Sequence, residues 1–492
     1  PLSKLKELFS DTAVYGISSV LARFINYLLV PLYTFEFAPE LYGIVGLVYA
    51  GIAILNVVFT MGMESSYLRY AKDRMQAAHW FKSLQAFLLG ISALLVLLLW
   101  VSAPLVKPLI SLQDHSSIYW MMLGILLFDA LSIVPFAELR LVRRAKLFAV
   151  LRVLNVLINI SLNIYLIFVE GYGIEAVFIS NLAASAVTAL LASLSTVKLY
   201  SGKLQTDKLK TALLFGLPFV PAGIAHVINE MLDRFFLKAM DPTVVSTLYG
   251  SSYTPDDIVG IYNACYKLAV FMLLFIQMFR MAWQPFFMWH SDDEEAPKTF
   301  AAVFNYYNLF AGLVFTGVGL FVNDIVQISV PVFGAEINLI DKKYWLGLNI
   351  VPILLMAYWF QGMYMNFSAG IFIRNQTKRL PQVTLTGAFI TIIGNLVLVP
   401  RLGMEGSAWA TLISYGVMAL MLYRYSTKSF SVPYSKIRTF LILLIAASVI
   451  IIKPNMATLF DAKWVANLIL FFSGAVLMTI IALPKLSLKS GR

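Results

Sequence analysis

Fourteen apolar stretches, most of them close to 20 residues long, run through the 492-residue chain. They lie near 12–35, 41–62, 81–102, 117–138, 147–169, 173–197, 212–239, 258–289, 300–322, 346–373, 383–400, 404–423, 437–452 and 464–484. A stretch of that length, coiled as an α-helix, crosses the roughly 30 Å hydrocarbon layer of a bilayer. Within lipid only a helix or a closed barrel satisfies its own peptide groups, and barrel strands are about half as long. The runs therefore predict an all-α integral membrane protein with about fourteen transmembrane helices. Composition agrees: 60% of residues are apolar, 13% are charged and the mean hydropathy is +0.80. Soluble domains are nearer half apolar and a quarter charged. The connections are too short for a catalytic domain; the longest, near 240–257 and 323–345, are about twenty residues.

Charge sets the expected orientation. The net charge of +11 suggests nucleic acid only until its distribution is read. The basic residues fall in short blocks on alternate connections: Arg69/Lys72/Arg74, Arg140/Arg143/Arg144/Lys146, Lys198/Lys203/Lys208/Lys210 and Arg374/Lys378/Arg379. Lys and Arg concentrate on the cytoplasmic side of membrane proteins, whereas acidic residues contribute little to orientation. The acidic loop Ser291-Asp292-Asp293-Glu294-Glu295 therefore does not alter the assignment, which is an even number of spans with both termini cytoplasmic and no nucleic-acid partner. The first apolar run does not end in a cleavage pattern and reads as a span rather than a leader. The lone Cys265 excludes an intrachain disulfide framework.

The chain also repeats itself. Tyr15-Gly16-Ile17 opens the first span and Phe215-Gly216-Leu217 the seventh. Glu40-Leu41-Tyr42-Gly43-Ile44 opens the second and Asp257-Ile258-Val259-Gly260-Ile261 the eighth. Tyr172-Gly173-Ile174-Glu175 opens the sixth and Leu402-Gly403-Met404-Glu405 the twelfth; Val142-Arg143 and Ile373-Arg374 close the fourth and tenth. Four matches in one order, offset by six spans, predict two parallel six-helix lobes, a plan that places a binding site between repeats near the midplane. The expected divisions are 1–211 (spans one to six), 212–428 (spans seven to twelve) and 429–492 (two additional spans).

Ionisable side chains inside spans are costly and mark functional sites by default. Arg23 lies about 16 Å into span one at 1.5 Å per residue, with Asn26 on the same face. An internal ion pair with Asp129 of span four is the competing structural reading. Span seven carries His226, Glu230, Asp233 and Arg234 at near-helical spacing, with Asn229 beside them, after Pro218 and Pro221, which predict a kink. Asp233 and Arg234 also read as an ordinary pair at the membrane rim. Span eight places Lys267 about 13 Å deep, an anion-binding candidate, and Arg280 near its end, where snorkelling competes. Arg152, Asn155, Asn159 and Asn163 line one face of span five, a pattern that more often joins helices than binds ligands. No metal site is expected, because a His without ligands at metal spacing does not make one. The sequence has no nucleotide-binding loop, no nucleophile–base constellation and no cofactor motif, so a transporter outranks an enzyme.

The Tyr42-Gly43-Ile44 opening, Gly216-Leu217-Pro218 followed by Asp233-Arg234, Trp283-Gln284-Pro285 at the end of span eight, and the paired Gly-Ile-Glu and Gly-Met-Glu openings resemble the polysaccharide flippases of the multidrug/oligosaccharidyl-lipid/polysaccharide exporter superfamily. The Wzx-type O-antigen flippases are the nearest group, and the likeness covers essentially the whole chain. The resemblance implies two six-helix lobes in a V, two extra helices, and a central cavity lined mainly by spans one, two, seven and eight. It implies as substrate an undecaprenyl-pyrophosphate-type oligosaccharide unit, flipped by alternating access from the inner to the outer leaflet of a bacterial inner membrane for lipopolysaccharide or related polysaccharide synthesis, with room for association with a polymerase complex. Arg23, Asn26, Lys267, Arg234 and Arg280 then suit the pyrophosphate and glycan, Arg being apt for bidentate phosphate contacts. Glu230, His226, Asp129 and Asp233 suit coupling to H+ or Na+. A lipid II flippase and a cation-coupled drug antiporter share the scaffold and remain rivals.

Overall fold

The computed structural model describes residues 27–290, 293–332, 335–374, 376–457 and 463–483. Among these residues, ten helices are long and apolar enough to cross a membrane, or eleven when one bent pair counts as a span. Helices coincide with every expected span from two to fourteen, and span one ends in the helix Leu29–Glu36. Its earlier part, with Arg23 and Asn26, lies outside the described residues. The only sheet among the described residues is an antiparallel ribbon, Ser329–Val332 with Ala335–Asn338, in the connection before span ten.

Spans eleven and twelve form the continuous helical segment Arg379–Ser429, 51 residues long, interrupted at Gly403 (φ 56°, ψ −127°). Few residues other than glycine adopt that conformation. The segment doubles back there. Ser407 donates to the Asn395 side chain and Ser414 to the Gly387 carbonyl, while Gly406 sits on the Leu398 carbonyl and Gly394 on Ala410. The separation of each pair grows with its distance from residue 401, as an antiparallel helical hairpin requires.

By packing, the chain divides into two compact units, Pro1–Asn263 and Ala264–Arg492. In the first, Ser116–Leu141 is the central helix and packs on Glu175–Ser195, Ala77–Val101 and Pro39–Thr60. Half of its most apolar stretch is buried, against 22% in Ala77–Val101 and in Ala145–Phe168. Span seven packs on span two, so the boundary by contacts falls inside span eight rather than ahead of span seven. The crossing of spans two and eight is reciprocal. A Cβ on Gly43 would overlap the carbonyl of Asp256, and a Cβ on Gly260 would overlap the carbonyl of Pro39. Each carbonyl belongs to the residue four before the opposing glycine. Gly43 and Gly260 are the two glycines equated by the sequence repeat, and they meet across a local two-fold arrangement. Lipid supplies no hydrophobic drive for helix association, so such close backbone approach at small residues provides it.

In the second unit Ala296–Val326 is the central helix. It packs on Ile350–Ile373 and on both final helices, Lys436–Ala457 and Lys463–Ala482. Trp359 donates to the side chain of Asn308, Tyr307 to the Trp359 carbonyl, and Asn467 to the Leu320 carbonyl. Gly312 and Gly319 admit Met478 and Ile450 of the last two helices. These helices are thus fastened along span nine.

The glycine crossing yields a direct comparison. Gly43→Val places branched carbons against backbone that has no rotamer to yield, and overpacking of this kind costs about 1–3 kcal/mol or more. Gly90 in span three has nothing within 4 Å of its added Cβ. The melting temperature of the detergent-solubilised protein should fall for Gly43→Val and hold for Gly90→Val. Equal melting would show that the crossing does not support the fold.

Candidate functional site

Span seven is built from Thr206–Gly216 and Phe219–Met231, bent by 42°, followed by Asp233–Lys238. The bend falls at Leu217-Pro218, as the prolines predict: Pro218 lacks the N–H that would continue the ladder, and Val220 bonds instead to the Leu217 carbonyl three residues back. Beyond the bend, His226 is exposed, Glu230 half-buried and Asn229 buried.

Asp233 and Arg234 are buried, at 3% and 2% exposure. Arg234 Nη1 donates to Asp233 Oδ1 at 2.6 Å and to the Glu230 carbonyl at 2.8 Å. The Tyr262 hydroxyl of span eight donates to Asp233 Oδ2 at 2.7 Å, and the guanidinium lies 5.7 Å from the Tyr262 ring. Nearby, Lys238 Nζ donates to Asp256 Oδ2 at 2.6 Å and the Ser111 hydroxyl to Asp256 Oδ1 at 2.8 Å. These contacts describe an ion pair enclosed by protein. Buried ions persist only with such compensation.

Span eight is not one helix. Pro255–Tyr266 and Val270–Trp289 are separated by a 3₁₀ turn, Lys267–Ala269, so the half-buried Lys267 heads a break inside an apolar span. Such breaks frequently mark hinges or binding sites. On the adjoining turn the Tyr266 and Tyr358 hydroxyls share a hydrogen bond of 2.6 Å, and the Cys265 thiol meets the Tyr344 carbonyl. Arg280, two turns before the end of span eight, is exposed.

Asp129 in span four lies beside Ser185 of span six, and the charge that bears on it is Arg152 of span five. The Arg152 guanidinium also lies 4.2 Å from the Phe136 ring centroid. The asparagines beside it join helices: Asn155 donates to Thr188, and Asn163 accepts from Tyr33 and donates to Asn159. Sequence reasoning missed two further clusters at the basic end of the first unit. Glu138 accepts from both guanidinium nitrogens of Arg74 and from the Tyr67 hydroxyl, and Arg140 pairs with Glu64. Arg74 and Arg140 read as orientation charges; the only hint of a second role was a glutamate within reach of a helix end. Among the described residues, no three His, Cys, Asp or Glu side chains could hold a metal ion.

A family model described as polysaccharide biosynthesis protein matches residues 8–289. The fold is similar to that of the lipid II flippase MurJ in an inward closed conformation, with a TM-score of 0.72 at 15% identity over 95% of this chain and 97% of that one. It is also similar to a multidrug resistance MATE family transporter of the MOP superfamily, outward-facing (TM-score 0.57, 17% identity, 85% and 95% covered) and inward-facing (0.57, 15%, 85% and 94%). No curated protein matches the chain in sequence.

The buried pair makes its own prediction. Removing one partner leaves an uncompensated charge and costs about 3–5 kcal/mol, whereas removing both costs far less. Asp233→Asn and Arg234→Gln should each lower the melting temperature of the purified protein sharply, and the double variant should recover most of the loss. Additive losses would mean that the two charges act separately.

Proposed function

The chain belongs to the polysaccharide biosynthesis protein family, and from that premise we propose that it is a flippase for a polyprenyl-pyrophosphate-linked oligosaccharide. It carries this unit from the inner to the outer leaflet of a bacterial cytoplasmic membrane by alternating access, with both termini cytoplasmic. The observation that carries the reading is Lys267 at the break in span eight. A cation at that depth needs water or an anion around it, and a pyrophosphate crossing hydrocarbon needs a cation. Arg23 and Asn26 on span one and Arg280 further along span eight complete the proposed anion and glycan contacts. Arg234 contributes through the electrostatics of its pair with Asp233.

Energy comes in this reading from a proton or sodium gradient. Glu230, His226, Asp129 and Asp233 are the proposed carriers, the first two on one face of span seven beyond its bend. The sequence repeats 1–211 and 212–428 supply the two alternating halves, and 429–492 the additional helices. A polymerase that consumes the delivered unit is the natural neighbour.

Arg23→Ala should impair translocation more than Arg23→Lys, because Lys keeps the charge and loses only the guanidinium fork. The Arg23→Ala, Lys267→Ala double variant should accumulate lipid-linked glycan on the inner leaflet while membrane levels of the protein hold. Unchanged surface polysaccharide in a verified double variant would remove both residues from the mechanism. Accumulation of the cell-wall lipid precursor in its place would assign the chain to lipid II, and altered drug efflux with neither lipid affected would assign it to antiport.

A further inference from the structure

Lined by none of the residues assigned to transport, a cleft of about 340 Å³ in the first unit is walled by spans three, four and six. Its two ends differ chemically. One end lies where the basic connections meet the helices and holds Lys82, Gln85, Ser193 and Tyr200; the other runs toward mid-span between Leu89, Phe128 and Leu190. Lys82, Gln85 and Leu89 follow one face of span three, so polarity falls steadily with depth. Leu89 and Leu190 are 53% and 59% exposed and form lips on the surface that faces hydrocarbon.

The polar end is a built site. Gly202 lies so close to the Ala78 carbonyl that a Cβ would overlap it, and the Gln205 backbone N–H donates to Ser83 at 2.9 Å. The turn carrying Tyr200 is thereby fixed to the start of span three. The Tyr200 ring lies 5.0 Å from that of Phe81 and 5.5 Å from Lys82 Nζ. Among the described residues, no carboxylate lies within ion-pair distance of Lys82. Gln85, 6% exposed, donates to the Leu131 carbonyl, but its own oxygen is buried without a partner. Lys198 and Lys203 adjoin Tyr200 in sequence, and Lys208 lies 4.8 Å from the Trp80 ring.

We propose that this cleft binds one anionic phospholipid, with its phosphate at Lys82 and Tyr200 and an acyl chain along Leu89, Phe128 and Leu190. Charge complementarity selects the occupant. The mouth is cationic, with no carboxylate at ion-pair distance from Lys82 among the described residues; the walls suit a hydrocarbon chain, and their order along the membrane normal is that of a lipid in a leaflet. The proposal does not depend on what the protein transports, since none of these residues belongs to the proposed transport site.

The test is native mass spectrometry of the full chain in detergent with phosphatidylglycerol, phosphatidylcholine of the same chains, or inorganic phosphate. Phosphatidylglycerol should bind about fivefold tighter than phosphatidylcholine per basic contact, the ratio that about 1 kcal/mol per basic residue gives. Lys82→Gln should erase that preference while leaving weak binding of both lipids, and Ala186→Phe, which fills the cleft, should remove both. Equal binding of the two lipids, or phosphate displacing phosphatidylglycerol without lipid competition, would overturn the proposal. Should either variant misfold, phosphatidylglycerol with a photoreactive acyl chain can be crosslinked to the unaltered protein. Labelled peptides from 82–89 and 186–193 are expected, and labelling confined to other spans would overturn it.

Discussion

Hydrocarbon offers a peptide group no hydrogen-bond partner, and each unpaired N–H or C=O held there costs several kcal/mol. The long apolar runs consequently have no alternative to the helix, whatever their propensities. The same condition limits how helices join. Apolar faces gain little by leaving lipid, so contact rests on close backbone approach and on hydrogen bonds between side chains. Gly43 against Gly260, Gly312 against Met478 and Gly319 against Ile450 provide the first kind of contact. Asn163 with Tyr33, Asn155 with Thr188 and Asn308 with Trp359 provide the second. Each bond of the second kind is worth about 0.6 kcal/mol on average in a membrane, so it is their number that secures the arrangement.

Departures from regular helix occur where the cost is met locally. At Pro218 the ladder bond to Leu214 is lost at a 42° bend, and a tighter bond from Val220 to Leu217 resumes the helix beyond it. At Lys267–Ala269 the 3₁₀ turn tightens the hydrogen bonds of span eight without leaving a gap in the chain. Gly403 turns a 51-residue segment back on itself. The first two lie on spans seven and eight, which also carry most of the charges placed within spans. Polar side chains and irregular backbone are expensive for the same reason, and this chain carries both on the same helices.

The charges themselves divide by what surrounds them. Asp233 and Arg234 are enclosed and answered by each other, by Tyr262 and by the Glu230 carbonyl. Asp129 has Ser185 and Arg152. Lys267 opens the 3₁₀ turn of span eight, and Lys82 stands at the mouth of a cleft with no carboxylate within ion-pair distance among the described residues.

The places of spans two to fourteen were legible from residue order because they depend on a local quantity, the length of an apolar run relative to the bilayer. The kink at Pro218 was legible for the same reason, since a missing N–H acts within one turn. The equivalence of Gly43 and Gly260 was also readable as a repeat, but not that the two glycines touch. Contact depends on how each helix is rotated and on what stands opposite, and a sequence does not state either. Tertiary structure alone set Arg152 where its charge bears on Asp129, gave Asp233 the hydroxyl of Tyr262, and placed a 3₁₀ turn at Lys267. Lys82 had no reading from residue order and gained one only when spans four and six were set beside span three. Periodicity along a helix fixes which residues share a face; only the neighbour that the face meets decides whether a charge is spent on the fold or kept for a ligand.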